Sequence, residues 1–317
     1  MSITVVTAGK GFIDIDALSC GVAYSELLNK EGKTAIAFLP APFNYSITTL
    51  IRSWKLDFST RNKDIINGNK FVIVDVSDPD QIASFVREDE IVEIFDHHFG
   101  FEDYWKRKLG NSSHIEAVGA CATLIWEEYG RRNKRTVVSK DSANLLYTAI
   151  ISNTLNFRSS VTTSRDKKAF SELEKYTRLP NKWIEIYFRE REKYIWSNPI
   201  KVIREDTKIT HFPNLGFELA IGQVELWDSK KFLSGAIDEI RTALKMYNNP
   251  YWFLTSPSIC EGKNYIYSES SKVKELLEKV IGARFNGYFG QTDKLWLRKE
   301  ILRLLLQEKK RDYPDSG

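Results

Sequence analysis

The chain has 317 residues, 42% of them hydrophobic, 28% charged and 13% aromatic. That composition excludes disordered, collagen-like and coiled-coil readings and leaves room for two domains. Its 46 basic and 42 acidic side chains nearly balance, so bulk charge selects neither nucleic acid nor anionic lipid as partner, and any cationic patch must be local.

Cys20, Cys121 and Cys260 are odd in number, far apart and outside any CxxC pairing, which argues against a disulfide framework or a thiolate zinc site and fits a reducing, cytoplasmic setting. The N-terminus lacks the basic start and unbroken apolar core of a signal peptide. No run approaches the roughly 20 apolar residues of a membrane span. The expectation is a soluble protein without a membrane partner.

In chain order, Ile3 to Thr7 reads as a strand, followed by a glycine turn and a helical pattern from Asp16 to about Lys30. Thr34 to Leu39, Phe71 to Asp75 and Ile91 to Asp96 are further apolar runs, and the last two end in a carboxylate where a buried parallel strand would emerge into a loop. Helical stretches follow over Gly119 to Tyr129, Ser139 to Ser152, Ser164 to Tyr176 and Asn181 to Trp196. The break at Trp196 to Ile200 is read as the interdomain linker. Beyond it, strands over Phe217 to Val224, Trp252 to Thr255 and Tyr265 to Tyr267, a helix from Ser229 to Met246 and two more helical patterns predict a smaller unit with its own core. The charged tail from Glu308 to Asp315 reads as frayed.

The predicted fold is α/β: an N-terminal domain, residues 1–196, with a mostly parallel sheet flanked by helices, and a smaller C-terminal α/β domain, residues 201–317. In open parallel sheets, ligands collect outside the carboxyl ends of the strands. Asp14 and Asp16, Asp75, and Asp96 sit at three such ends and are expected to converge. The sharpest signal is Asp96-His97-His98, because imidazole beside carboxylate suits manganese, iron, cobalt or zinc. The D-x-D pair of Asp14 and Asp16 can aim two carboxylates at one cation. Asp16 equally fits the N-cap of the following helix, and Asp75 a turn or cap before Pro79.

The order D-x-D, strand-end Asp, Asp-His-His and a helix ending in Ile-Ser-Asn-Thr resembles the DHH phosphoesterase superfamily. The resemblance extends through Val118-Gly119-Ala120-Cys121-Ala122-Thr123 and Thr162-Thr163-Ser164-Arg165-Asp166. Asp206-Thr207-Lys208, Ile221-Gly222-Gln223-Val224-Glu225 and Leu297-Arg298-Lys299 then follow in the order seen in family II inorganic pyrophosphatases, whose exopolyphosphatase relatives share the architecture. The resemblance implies an active site in the cleft between the domains, a manganese or cobalt centre held by the N-terminal domain, and phosphate bound by Lys208, Arg298 and Lys299. By the same resemblance Asp14, Asp16, Asp75, His97 and position 153 are metal ligands, and His98, beside Asp96, stands at the leaving group. A family-like homodimer is compatible with it.

The chain departs from this pattern at the chemistry. Lys10 stands where the family has a ligating His, Asn153 where it has Asp, Asp75-Val-Ser-Asp replaces D-H-N-E, and Leu297 replaces a serine. A protonated lysine cannot ligate a cation, so the Lys10 ammonium is expected to fill part of one metal's space. Asn153 offers a carbonyl oxygen without the charge of a carboxylate. What remains is a half-site for one divalent ion, manganese or alternatively cobalt or magnesium, formed by Asp16, Asp75 and His97 with Asn153. The favoured reading is a hydrolase acting on pyrophosphate or short polyphosphate through metal-activated water, with Lys10, Asp96 and His98 in the catalytic set. A silent homologue that binds a phosphorylated ligand is the alternative. A short-oligonucleotide phosphodiesterase comes third, since no aromatic and basic stripe for stacking bases is evident.

Overall fold

The acids expected at strand ends owe their position to five parallel strands. In the computed structural model, which describes residues 3–61 and 69–308, these are β1 (Thr4–Thr7), β2 (Ala35–Ala37), β3 (Lys70–Val74), β4 (Ile91–Asp96) and β5 (Ser113–Ile115). They form one sheet in the order β2-β1-β3-β4-β5. Val5 pairs with Ile36 on one side and Phe71 on the other, Ile73 with Ile94, and Phe95 with His114. The central runs are apolar on both faces, as a sheet covered on both sides requires.

The order reverses between β1 and β3. The chain leaves β1 for β2 on one side and returns to β3 on the other, so the loops after β1 and β3 part and leave a crevice at their carboxyl ends. Beneath it Val5, Phe38, Phe71, Ile73, Ile94 and Trp105 form a buried cluster on one face. The Trp105 indole also donates to the Ser77 carbonyl at 2.6 Å, which ties down the loop after β3.

Helix α1 (Ile15–Lys30) is buried along almost all of its first three turns. Gly21 permits this: a Cβ there would come within 3.2 Å of Leu39. Around this sheet the chain adds α2 (Thr49–Arg52), α3 (Glu102–Leu109), α4 (Cys121–Arg131), α5 (Lys140–Asn153) and α6 (Ser164–Leu173).

The chain divides into two compact units, residues 1–187 and 188–317. The division lies within α7 (Trp183–Ser197), upstream of the segment read as a linker. That segment is the short gap between α7 and α8 (Pro199–Glu205), with Pro199 at the first turn of the new helix, where its missing N–H costs nothing.

The second unit holds a six-stranded sheet in the order β10-β11-β9-β8-β7-β6. Its strands are β6 (Thr207–Phe212), β7 (Phe217–Gln223), β8 (Trp252–Ser258), β9 (Lys263–Tyr267), β10 (Arg284–Asn286) and β11 (Phe289–Gln291). Only β7 and β8 are parallel. The helix expected over Ser229 to Met246 is two helices, α9 (Ser229–Gly235) and α10 (Ile237–Lys245). The break falls where Gly235 lies against Trp196; a Cβ at Gly235 would sit 2.9 Å from that ring. Helices α11 (Ser271–Ile281) and α12 (Arg298–Gln307) close one sheet face over Phe212, Leu219, Ile221, Phe253 and Ile266.

The tail expected to fray lies, beyond Glu308, outside the described residues. Among those residues no helix is long and apolar enough to cross a membrane.

Candidate metal and phosphate sites

Asp14 caps α1, its Oδ1 accepting from the backbone of Asp16 at 3.0 Å and Ala17 at 2.9 Å. The N-cap role weighed for Asp16 thus belongs to Asp14, which leaves the Asp16 side chain free for other work. Asp16 is fully buried. Its Oδ2 accepts from the Cys121 N–H at 2.8 Å and its Oδ1 from the Ala122 N–H at 2.8 Å, both at the start of α4. A helix N-terminus favours a carboxylate there.

Asn153, at the end of α5, also turns toward Asp16, its Nδ2 donating to Oδ2 at 2.8 Å. A carbonyl oxygen in that place would face a carboxylate oxygen, so the amide orientation follows from the contact. The residue read as a ligand is in this state a hydrogen-bond donor that holds a carboxylate.

Asp75 follows β3 with a left-handed backbone, φ 60°, a conformation that costs energy in a non-glycine residue and collects at functional sites. Its N–H donates to the Phe95 carbonyl at 2.8 Å. Its buried Oδ1 has no hydrogen-bond partner. The His97 Nε2 lies 3.4 Å from that oxygen and 3.8 Å from the Asp16 Oδ2. The other ring nitrogen, Nδ1, is 3.2 Å from the Val118 carbonyl. A carbonyl can only accept, so Nδ1 carries the proton and Nε2 presents its lone pair to two carboxylate oxygens.

Three electron-rich atoms facing one another repel unless a proton or a cation lies among them. Donors about 2.1 Å from a common ion in a tetrahedral arrangement stand about 3.4 Å apart; His97 and Asp75 stand at that distance, and His97 and Asp16 at 3.8 Å. Burial, with the neighbouring Asp14 charge, pushes the Asp16 carboxyl up to about 7. Burial, with Asp16 and Asp14, raises Asp75 well above the usual range. Burial and the neighbouring His98 push His97 down to about 4, so its imidazole is neutral, the form that ligates. These residues fit a divalent ion. Asp75, His97 and His98 also bring one donor each within 4.8 Å of one another.

Asp96 has a different task. Its Oδ1 accepts from the His97 and His98 backbone N–H groups at 2.8 and 3.2 Å and lies 2.8 Å from the His98 Nδ1. Burial disfavours both charges, yet the pairing outweighs it: Asp96 lies below the usual carboxylate range and His98 above the usual imidazole range. The His98 side chain is 62% exposed. It can therefore carry a proton on an outward-facing Nε2.

The Thr162–Asp166 segment is a strut behind the site. Thr163 and Asp166 form a capping box at α6, and Asp166 also accepts from the Gly119 N–H at 2.9 Å and the Thr123 hydroxyl at 2.6 Å. Gly119 has no room for a side chain, since a Cβ would lie 2.6 Å from Thr154. The loop that supplies the Val118 carbonyl and the Cys121 and Ala122 amides is thereby fixed. Those two amides are the functional groups that side-chain reading missed; the glycine at 119 is their sequence signal.

Lys10 is not held in this cluster. Its backbone N–H donates to the Gln81 carbonyl at 2.8 Å, and its exposed side chain lines a surface pocket with Pro79, Asp80 and Glu88. Among the described residues it makes no ion pair, so the expected ammonium in place of a metal is not seen.

In the second unit, the Arg298 guanidinium donates to both the carbonyl and, at 2.6 Å, the carboxylate of Asp206. The Arg298 N–H donates to the Gln223 Oε1 at 2.6 Å, and Gln223 donates to Glu225 at 3.1 Å. The motifs 206–208, 221–225 and 297–299 therefore meet. Burial raises Asp206 to about 6 against the pull of Arg298, and Lys208 adds its charge nearby. Burial lowers the Lys299 ammonium. Lys208 itself is exposed on β6.

No protein-family model matches the chain. Among curated proteins it is 23% identical over 313 residues to the manganese-dependent inorganic pyrophosphatase of Methanothrix thermoacetophila, covering 95% of this chain and 96% of that one. It is 27% identical over 240 residues to the enzyme of that name from Methanocaldococcus jannaschii, covering 69% and 73%. A crystal structure from Methanococcus jannaschii, assigned to the family II inorganic pyrophosphatases, superposes with a TM-score of 0.64 at 20% identity over 96% of this chain and 98% of that one, which establishes a shared fold. By these relationships the chain resembles the family II, manganese-dependent inorganic pyrophosphatases.

Proposed function

We propose that the chain is a divalent-metal-dependent phosphohydrolase that cleaves a phosphoanhydride, pyrophosphate or short polyphosphate, with one ion held by Asp16, Asp75 and His97. The observation that carries this is the His97 Nε2 lone pair aimed at two buried carboxylate oxygens, one of them without a partner. The relationship to enzymes named manganese-dependent pyrophosphatases supports manganese as the ion.

A bound divalent ion lowers the pKa of water and offsets phosphate charge. The chain's own groups do the rest. Val118 fixes the His97 tautomer, and the amides of Cys121 and Ala122 hold Asp16 in place. His98, whose hold on a proton Asp96 strengthens, gives its Nε2 proton to the departing phosphate. Arg298, Lys299 and Lys208 bind the phosphate oxygens, where paired N–H donors of guanidinium match phosphate geometry.

A silent phosphate-binding homologue is the second reading, and one observation favours it: Asn153 gives Asp16 a hydrogen bond rather than giving an ion a carboxylate. Orthophosphate release from pyrophosphate and tripolyphosphate under manganese, in wild type and His98→Gln, separates the two. Turnover that falls at least tenfold in the variant supports the hydrolase. No release from wild type with manganese bound supports the binder.

A further inference from the structure

Among the described residues, the two most exposed large apolar side chains are Phe99, at 70%, and Phe12, at 58%. Neither lies on a remote surface. Phe12 is in the loop after β1, two residues before Asp14, and Phe99 follows His98 directly. These are the two loops that deliver Asp16 and His97 to the candidate metal cluster.

On each loop an exposed polar residue lies within two positions of the exposed ring in the sequence. Lys10 precedes Phe12 by two residues and makes no ion pair among the described residues, and the His98 side chain is 62% exposed. Inorganic pyrophosphate can use the lysine and the imidazole but has no surface to offer a phenyl ring. A single exposed phenylalanine needs no explanation. Two that rank first and second among the described residues, on the two loops that lead to one cluster, do.

We infer that the phosphoanhydride taken by this site carries a nucleobase, so that the substrate is a nucleoside polyphosphate, with a base against Phe12 or Phe99 and its terminal phosphates at the cluster. This rests on the phosphoanhydride reading above. Both rings lie on loops and are largely exposed. A planar base needs only a face, whereas a long alkyl chain would remain wet. Base-on-aromatic stacking is also tolerant of base identity.

In the reaction, water adds to the terminal phosphorus and the bridging P–O bond breaks. The bond's electron pair stays on the shortened nucleotide, the water oxygen enters orthophosphate, and the proton given up by water replaces the one that His98 donates.

The test compares wild type, F12A, F99A and the double variant, all full-length and with manganese, by calorimetric binding of α,β-methylene-ADP and of methylenediphosphonate. Both side chains are exposed, so the variants retain the fold. The double variant is expected to bind the nucleotide analogue at least tenfold more weakly, consistent with loss of stacking, and the diphosphonate within twofold of wild type. Equal nucleotide affinity in wild type and double variant overturns the inference, as does a parallel loss for both ligands. Failure of wild type to bind the diphosphonate defeats the phosphoanhydride reading itself, a result distinct from either.

Discussion

The Nε2 of His97 lies 3.4 Å from the Oδ1 of Asp75, a buried oxygen with no hydrogen-bond partner. Since the other ring nitrogen is committed to the Val118 carbonyl, this contact is a lone pair against a carboxylate unless a proton or a cation intervenes. A proton there can come only from Asp75, whose carboxyl burial raises well above the usual range, since His97 titrates near 4; a divalent ion competes for the same place.

A pH dependence follows from the two acids. In the metal-free chain Asp16 is held up to about 7 and Asp75 well above its usual value, while both titrate near 4 when unfolded. Between about pH 4 and 7 the folded chain keeps protons that the unfolded chain has released. This contribution to stability is thus complete below about pH 4 and lost as pH rises through 7. Manganese competes with the same protons, so its stabilisation should grow over that interval. Thermal melts in EDTA and in excess manganese should show a wider gap at pH 8 than at pH 5. An equal gap at both would mean that neither acid holds the ion.

Asn153→Asp replaces a donor to Asp16 with a second carboxylate at 2.8 Å. Urea unfolding in EDTA should show a loss of about 1–3 kcal/mol at pH 8, from the lost hydrogen bond and like-charge contact. Manganese affinity should rise at least tenfold. An unchanged stability in EDTA would contradict the donor assignment.

Asp166→Ala removes partners from Gly119, Thr123 and Thr163 together. A loss of about 3–5 kcal/mol is expected, since several buried donors are left unsatisfied. Asp166→Asn should recover part of it. Because the strut sets the Cys121 and Ala122 amides, manganese affinity should fall with stability, and calorimetry checks this.

Much of this was legible in the sequence. Apolar runs ending in Asp75 and Asp96 announced parallel strands, because a buried strand has nowhere else to place a carboxylate. Strands β5, β6, β10 and β11 were not seen: β6 mixes exposed and half-buried residues without alternation, and the other three are three-residue strands held by pairing. The break at Ala236 was hidden because its cause, the packing of Gly235 on Trp196, is tertiary. At the site, residue type indicated which side chains gather but not what each one does. Asp14 took the cap through local bonds to Asp16 and Ala17, Asn153 turned its nitrogen toward an Asp16 distant in sequence, and Lys10 stayed in solvent.

Arg298→Ala in the full chain should weaken orthophosphate binding at least tenfold, as a guanidinium with several N–H donors is removed. Without its partner Asp206 should titrate above about 6, since Arg298 is the main group opposing its burial. Carboxyl NMR titration checks the second effect, and a lower value would show that the ion pair does not form in solution.

A single tight ion at Asp16, Asp75 and His97 is tested directly by manganese stoichiometry, measured by equilibrium dialysis at pH 7.5 in wild type, His97→Ala and Asp75→Ala. One tightly bound ion per wild-type chain is expected and none in either variant, since each removes one of three protein ligands. Two tight ions in the wild type, or one retained after loss of His97, would contradict it.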